Sequence, residues 1–259
     1  MKHPTVQIRA IDNYDLPVLE DAIGTWFSEL RDNKIKRSKR VLIKPNLLGA
    51  YPPERAVTTH PKVLEAIIRY FLSLKKEVWL GDSPGGSVSV KKVWETCGLK
   101  DLAERYPIRL VNLSTEKYRE LNYEGTHVKI SEALFKCGIV INVAKYKTHS
   151  LMAFTGALKN LYGLVPGMVK SEYHRLNPDT KSFAEMLLAI YGLCRSKITF
   201  SIIDGIMGMD GAGPSAGNPK HFGLLMGSDS IPALDTVASR MMGFKIKDLP
   251  YLWGALHME

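Results

Sequence analysis

The chain has 259 residues, 45% hydrophobic, 24% charged and 9% aromatic, a globular composition with material for a full core and far from disordered or low-complexity sequence. Its longest apolar runs, such as Met186 to Tyr191 and Ile231 to Leu234, fall well short of the roughly 20 residues a membrane span needs. Thirty-five Lys and Arg against 26 Asp and Glu leave a formal charge of +9, which favours anionic partners without naming one, while widely spaced Cys97, Cys137 and Cys194 suit neither a disulfide framework nor a C-x-x-C metal site.

The first residues, Met-Lys-His-Pro-Thr-Val-Gln-Ile, show no apolar leader, so the expected address is the cytoplasm. Apolar β-rich runs then alternate with helical periodicity. This predicts an α/β fold, a mainly parallel sheet with helices on both faces, in one domain over 1–259 with a smaller lobe near 86–136. Strands are expected at Thr5 to Ile11, Arg40 to Lys44, Glu77 to Leu80, Ile108 to Leu113, Ile139 to Val143, Ile198 to Ile203 and His221 to Met226. A helix is expected over Leu16 to Asp32, followed by the basic run Lys34 to Arg40, read as a solvated loop whose cations complement the carbonyl end of that helix. With no aromatic stripe, zinc finger or RNP pattern beside it, the run argues against nucleic acid.

Further on, Val63, Leu64, Ile67, Ile68, Phe71 and Leu72 recur at helical spacing behind Pro61, a core-packing helix with His60 as a cap. Tyr118 to Lys129 suggests a hairpin turning at Glu124-Gly125, and Phe183 to Leu193 and Ile231 to Met242 read as buried helices, the second capped by Asp229 or Ser230. His174, in the polar stretch Lys170 to Arg175, reads as solvated.

Four apolar strands end in polar or glycine-rich segments: Lys44 to Gly49, Gly81 to Gly86, Asn142 to His149, and Asp204 to Pro214. In a parallel sheet all carboxyl ends point one way, and ligands bind in the crevice beyond them. The four segments are therefore expected to meet at one rim. Lys44, Asn46, Ser83, Gly85 and Gly86 belong to the first two, where the glycine-rich turn, though no P-loop, offers backbone amides to an anion. Lys145, Lys147 and His149 alternate along an extended chain, so all three point to one side. In Phe154 to Gly163, read as a short helix, Lys159 and Asn160 interrupt apolar surroundings and need partners if buried, which a bound anion supplies. Gly205 to Gly217 holds five glycines in thirteen residues, a pattern expected of a closing lid. Asp82, Asp204 and Asp210 form a candidate oxygen set for a divalent metal, and Asp82, Asp204 or His149 a candidate acid or base.

Val41-Leu-Ile-Lys-Pro-Asn-Leu, Thr58-Thr-His-Pro, Gly81-Asp-Ser-Pro-Gly, Lys159-Asn160 with Gly163, and the segment from Asp204 to Pro219 together resemble the prokaryotic family called "domain of unknown function 362". The likeness covers about Arg40 to Gly243. It implies association with iron-sulfur proteins, because some members carry an appended ferredoxin-type module; this chain holds no C-x-x-C-x-x-C run for a cluster of its own. Asp210 keeps the acidic residue of the last glycine-rich motif, and the chain ends sooner after Phe244 to Leu252 than the resemblance leads one to expect. A weaker likeness, to the sheet-edge architecture of lactate-racemase-like proteins, concerns fold alone.

Three readings follow. In the first, an enzyme or ligand-binding domain takes an anionic small molecule, carboxylate or phosphate, against Lys44, Lys145, Lys147 and Lys159, with the aspartates binding a metal or moving a proton. In the second, a non-catalytic accessory protein of redox metabolism docks an acidic ferredoxin-like partner on its basic face. In the third, lysines merely neutralise aspartates and hold the rim loops closed.

Overall fold

The computed structural model describes residues 4–30, 33–85 and 88–258; Asp32 and Gly86 lie outside the described residues. In chain order the elements are β1 (Gln7–Ala10), α1 (Leu16–Glu29), α2 (Asn33–Arg37), β2 (Arg40–Lys44), α3 (Pro61–Ser73), β3 (Glu77–Asp82), α4 (Val90–Thr96), α5 (Leu99–Arg105), β4 (Ile108–Asn112), β5 (Tyr118–Tyr123), β6 (Thr126–Ser131), α6 (Ala133–Lys136), β7 (Ile139–His149), β8 (Ala153–Thr155), α7 (Ala157–Asn160), α8 (Gly167–Leu176), α9 (Thr180–Cys194), β9 (Phe200–Asp210), β10 (Asn218–Ser228), α10 (Ile231–Met241) and α11 (Pro250–Leu256).

Strands buried on both faces read as continuous apolar runs, and here successive residues divide between two cores. Val41, Ile43, Val78, Leu80, Ile139 and Ile141 pack with Ile23 and Phe27 of α1 and Ile67 of α3. Leu42, Trp79 and Val140 face the other way, toward Leu158 of α7, Phe183 and Leu187 of α9, Leu234 of α10 and Leu252 of α11. Helix starts are set locally. The His60 side chain accepts from Lys62 N with Pro61 in the first turn, Asp179 accepts from Lys181 N and Ser182 N, and Ser230 rather than Asp229 caps α10.

The sheet order is β1-β10-β9-β7-β2-β3-β4, with β8 paired to β7. Strands β4, β3, β2, β7 and β9 are mutually parallel, while β10 runs antiparallel to β9 and to β1. From β2 the chain steps outward through β3 to β4, then returns to the other side of β2 as β7 and β9. This reversal makes the carboxyl end of β2 and β7 a topological switch point, where neighbouring loops diverge and leave a crevice. β5 and β6 form a separate hairpin whose turn residues Glu124 and Gly125 both have positive φ, as a two-residue hairpin turn requires.

Several expectations need correction. The basic run is not a loop, because Asn33–Arg37 is a short helix. Phe154 and Thr155 are in β8, so the helix in that segment starts only at Ala157. The first six residues of the expected lid are sheet, because β9 continues to Asp210 and pairs with β10, and residues 211–217 form the connection between the two strands. Gly208 answers to close approach, since a Cβ there would lie 2.6 Å from Tyr146 O and 2.7 Å from the Phe222 ring. Those rings meet edge to face with centroids 4.9 Å apart.

Candidate functional site

At the switch point lies a cavity of about 320 Å³, walled by the segments after β2 and β3, the end of β7, and α7 and α8. Of the residues singled out from sequence, Asn46, Asp82, Ser83, Gly85, His149, Lys159 and Asn160 line it. Lys44 lies directly behind this wall, while Lys145, Lys147, Asp204 and Asp210 serve other contacts.

Lys44 Nζ pairs with Asp82 Oδ1 at 2.9 Å and donates to Pro45 O at 3.0 Å. The two Asp82 oxygens also accept from Leu47 N (2.7 Å) and Ser83 N (2.9 Å). Burial pulls the Lys44 amine below its ordinary range, and the Asp82 carboxylate opposes that shift. Gly163 packs against this pair so closely that a Cβ would collide with Asp82 Oδ1 and Lys44 Nζ.

A second buried pair sits between β7 and β9. Lys145 Nζ is 2.7 Å from Asp204 Oδ2 with both side chains fully buried. Tyr14 donates to Asp204 Oδ1 (3.0 Å), and His60 N donates to Oδ2 (2.9 Å). The Tyr14 ring stacks on that of His60 at 3.5 Å. Burial draws His60 down to about 4, so this ring is neutral at physiological pH.

Among the described residues no carboxylate pairs with Lys147; its amine donates to Val57 O at 2.6 Å, and burial together with Lys159 and Lys145 holds it well below the usual lysine range, with Asp82 opposing. Lys159 lines the cavity without any hydrogen bond or ion pair to its amine among the described residues, and burial lowers it to about 8. Opposite, burial brings Lys170 of α8 to about 7; its amine donates to Ser83 O. His149 Nδ1 accepts from Leu151 N (3.1 Å) and Met152 N (3.2 Å), which leaves the ring proton on Nε2. Burial, then Lys159 and Lys147, depress this imidazole to about 2, so it is a neutral donor. An amide chain completes the wall. Asn46 Nδ2 donates to Asn160 Oδ1 (3.1 Å), and Asn160 Nδ2 to Asn142 Oδ1 (2.8 Å).

The three aspartates expected to share a metal are not brought together. Asp82 and Asp204 are each held by a lysine, and Asp210 is exposed beside Lys220 at 3.2 Å. Among the described residues no three His, Cys, Asp or Glu side chains gather in a way that could hold a metal ion. The glycine-rich turn is also less free than expected, because Ser83 N is bonded to Asp82 Oδ1 and Gly85 N to Leu48 O at 3.2 Å.

A family model described as Domain of unknown function (DUF362) matches residues 41–240. The chain belongs to the DUF362 family. The DUF362 chain is also 32% identical over 219 residues to Thylakoid-associated protein sll1697 from Synechocystis sp., across 84% of this chain and 67% of that one. Lactate racemase apoprotein from Thermoanaerobacterium thermosaccharolyticum shares the fold with a TM-score of 0.54 at 11% identity, over 93% of this chain. The DUF362 chain spans 57% of that racemase's length. Among the described residues no helix is long and apolar enough to cross a membrane.

Sequence reasoning missed α8. Lys170 and His174 both line the cavity, although the stretch reads as solvated, and Lys170 is only 9% exposed. His174 is exposed but stacks on Phe183 at 4.6 Å. Their four-residue spacing, which puts both on one helix face, was the available signal.

Proposed function

We propose that the cavity of this DUF362 protein binds a small anion, a carboxylate or a phosphate, between Lys159, Lys170 and His149. The observation that carries the reading is the Lys159 amine, at a cavity wall whose one acid among the described residues, Asp82, is already engaged by Lys44. A cation withdrawn from water without a partner is costly, and an incoming anion removes that cost. His149 Nε2 and the side chain of Ser83 supply neutral donors that fix orientation. An amine near neutrality beside a bound carbonyl or acid also suits proton transfer, so Lys170 and Lys159 replace Asp82, Asp204 and His149 as the preferred proton carriers. Titration calorimetry with inorganic phosphate and with malonate tests the reading. Binding by the wild type, weakened tenfold or more in Lys159→Met and in Lys170→Met, is expected; equal affinity in all three proteins overturns it.

A second reading is favoured by exposed Lys34, Lys36, Arg37 and Lys39 around α2. In it, an acidic ferredoxin-like protein docks on this basic face. Complex formation that weakens steeply with salt, and is lost when these four cations are replaced by glutamine, supports it. Salt-independent binding counts against it.

A further inference from the structure

Beside the cavity read as an anion site lies a second hollow of about 510 Å³. Leu48, Gly85 and Pro214 belong to the walls of both, so the two are direct neighbours. Their chemistry differs. The first holds the amines and imidazoles described above, whereas among the described residues no charged side chain lines the second; Leu48, Ala50, Tyr51 and Val88 form much of it. Its floor is anchored from below, because the buried Cys97 thiol donates to Gly49 O (3.4 Å) and Tyr51 O (3.3 Å). Val88 is 47% exposed at the edge, an apolar side chain left facing water beside a charged pocket. Taken alone, the first cavity is at the small end for an organic ligand, and a ligand that occupied both hollows would have a volume well within the ordinary range.

We propose that the ligand is an amphipathic acid, whose carboxylate or phosphate sits against Lys159 and whose apolar body of several carbons lies along Leu48, Tyr51 and Val88. The inference rests on the reading of the cavity as an anion site and extends it to the rest of the molecule. Charge is recognised in the first hollow and apolar surface in the second, so neither acetate nor a neutral hydrocarbon satisfies both. A fully buried methylene is worth about fourfold in affinity. In an open groove about half of that area is covered, so lengthening butyrate to octanoate is expected to tighten binding on the order of tenfold.

The test is calorimetric titration of the full chain with acetate, butyrate, hexanoate and octanoate, each below its micelle-forming concentration. Wild type is expected to bind more tightly with each added pair of carbons. Val88→Asp, a change at an exposed position that leaves the core untouched, is expected to flatten the series, and Lys159→Met to weaken every member at least tenfold. Equal affinity along the series, still dependent on Lys159, overturns the apolar subsite while leaving the anion site standing. Octanoate binding that ignores Lys159→Met shows adsorption to an apolar patch and overturns the proposal. Failure of all four acids, with inorganic phosphate also silent, overturns both readings. Binding to phosphatidylglycerol vesicles without binding of free octanoate assigns the surface to a membrane and likewise overturns the proposal.

Discussion

Replacing Lys159 with methionine keeps the length and apolar stem of the side chain and removes only the charge. In the fold this amine sits at about 8, against 10.5 for the free side chain. Keeping it protonated therefore costs roughly 3 kcal/mol more in the folded chain than in water. Water in the cavity screens part of this, so a gain of about 1–3 kcal/mol is expected in the variant at pH 7, or roughly 2–12 °C in melting temperature for a chain of this size. The pH dependence has a definite sign. Between pH 8 and 10.5 the unfolded chain holds a proton that the fold has released, so wild-type stability gains from this residue as pH rises through that window. The advantage of Lys159→Met is thus largest below pH 8 and disappears toward 10.5. Urea denaturation of both proteins at pH 7 and pH 10 measures it, and calorimetry with phosphate shows whether the more stable variant has lost the anion. A site that sacrifices stability for binding behaves in this way. If Lys159→Met is less stable than wild type at pH 7, the amine holds the fold together and the account of an uncompensated cation is wrong.

Three other perturbations follow from the same geometry. Lys145→Met strands the buried Asp204 carboxylate and is expected to cost about 3–5 kcal/mol in urea denaturation, with part recovered in the double variant Lys145→Met/Asp204→Leu; independent, additive losses would show that the pair is uncoupled. Gly163→Ala drives a methyl group into the Lys44–Asp82 pair, so a loss of about 1–3 kcal/mol accompanied by weaker phosphate binding is expected, and a calorimetric titration indistinguishable from wild type would refute it. Asp235, buried where it accepts from Ala157 N (2.7 Å) and Leu158 N (2.9 Å), is pushed up to about 7 by burial. The fold then retains a proton that the unfolded chain gives up between pH 3.8 and 7, so this residue makes stability fall as pH rises across that interval, by up to about 1.4 kcal/mol per pH unit. Asp235→Asn should remove that slope in melts from pH 4 to 7, and an unchanged slope would count against it.

Much of the framework is legible from local pattern. Each expected strand is present in some form, and β2 has the expected limits, because its apolar run is bounded abruptly by Arg40 and by Lys44-Pro45. β7 extends six residues past Val143 to His149, since lysines that reach buried acceptors pair in a ladder as readily as valines. The alternation of Lys145, Lys147 and His149 on one side of the chain was readable, but it did not reveal their different tasks. Lys145 meets Asp204 across a parallel pairing of β7 with β9, and Lys147 reaches a carbonyl 90 residues earlier.

Composition, periodicity and the order of polar segments determined by themselves that this is an α/β chain with polar and glycine-rich segments following its parallel strands. Those features depend on spacing along the backbone, which the residues carry individually. Only the tertiary structure decided which charges cancel. It spends Lys44 on Asp82 and Lys145 on Asp204, separates the three aspartates proposed for a metal, and brings Lys170, from a stretch that reads as solvated, to the same cavity as Lys159. Whether a buried charge is paired or left without a partner depends on distances of a few ångströms between residues far apart in sequence, and Coulomb energy in a low-dielectric interior makes such distances decisive.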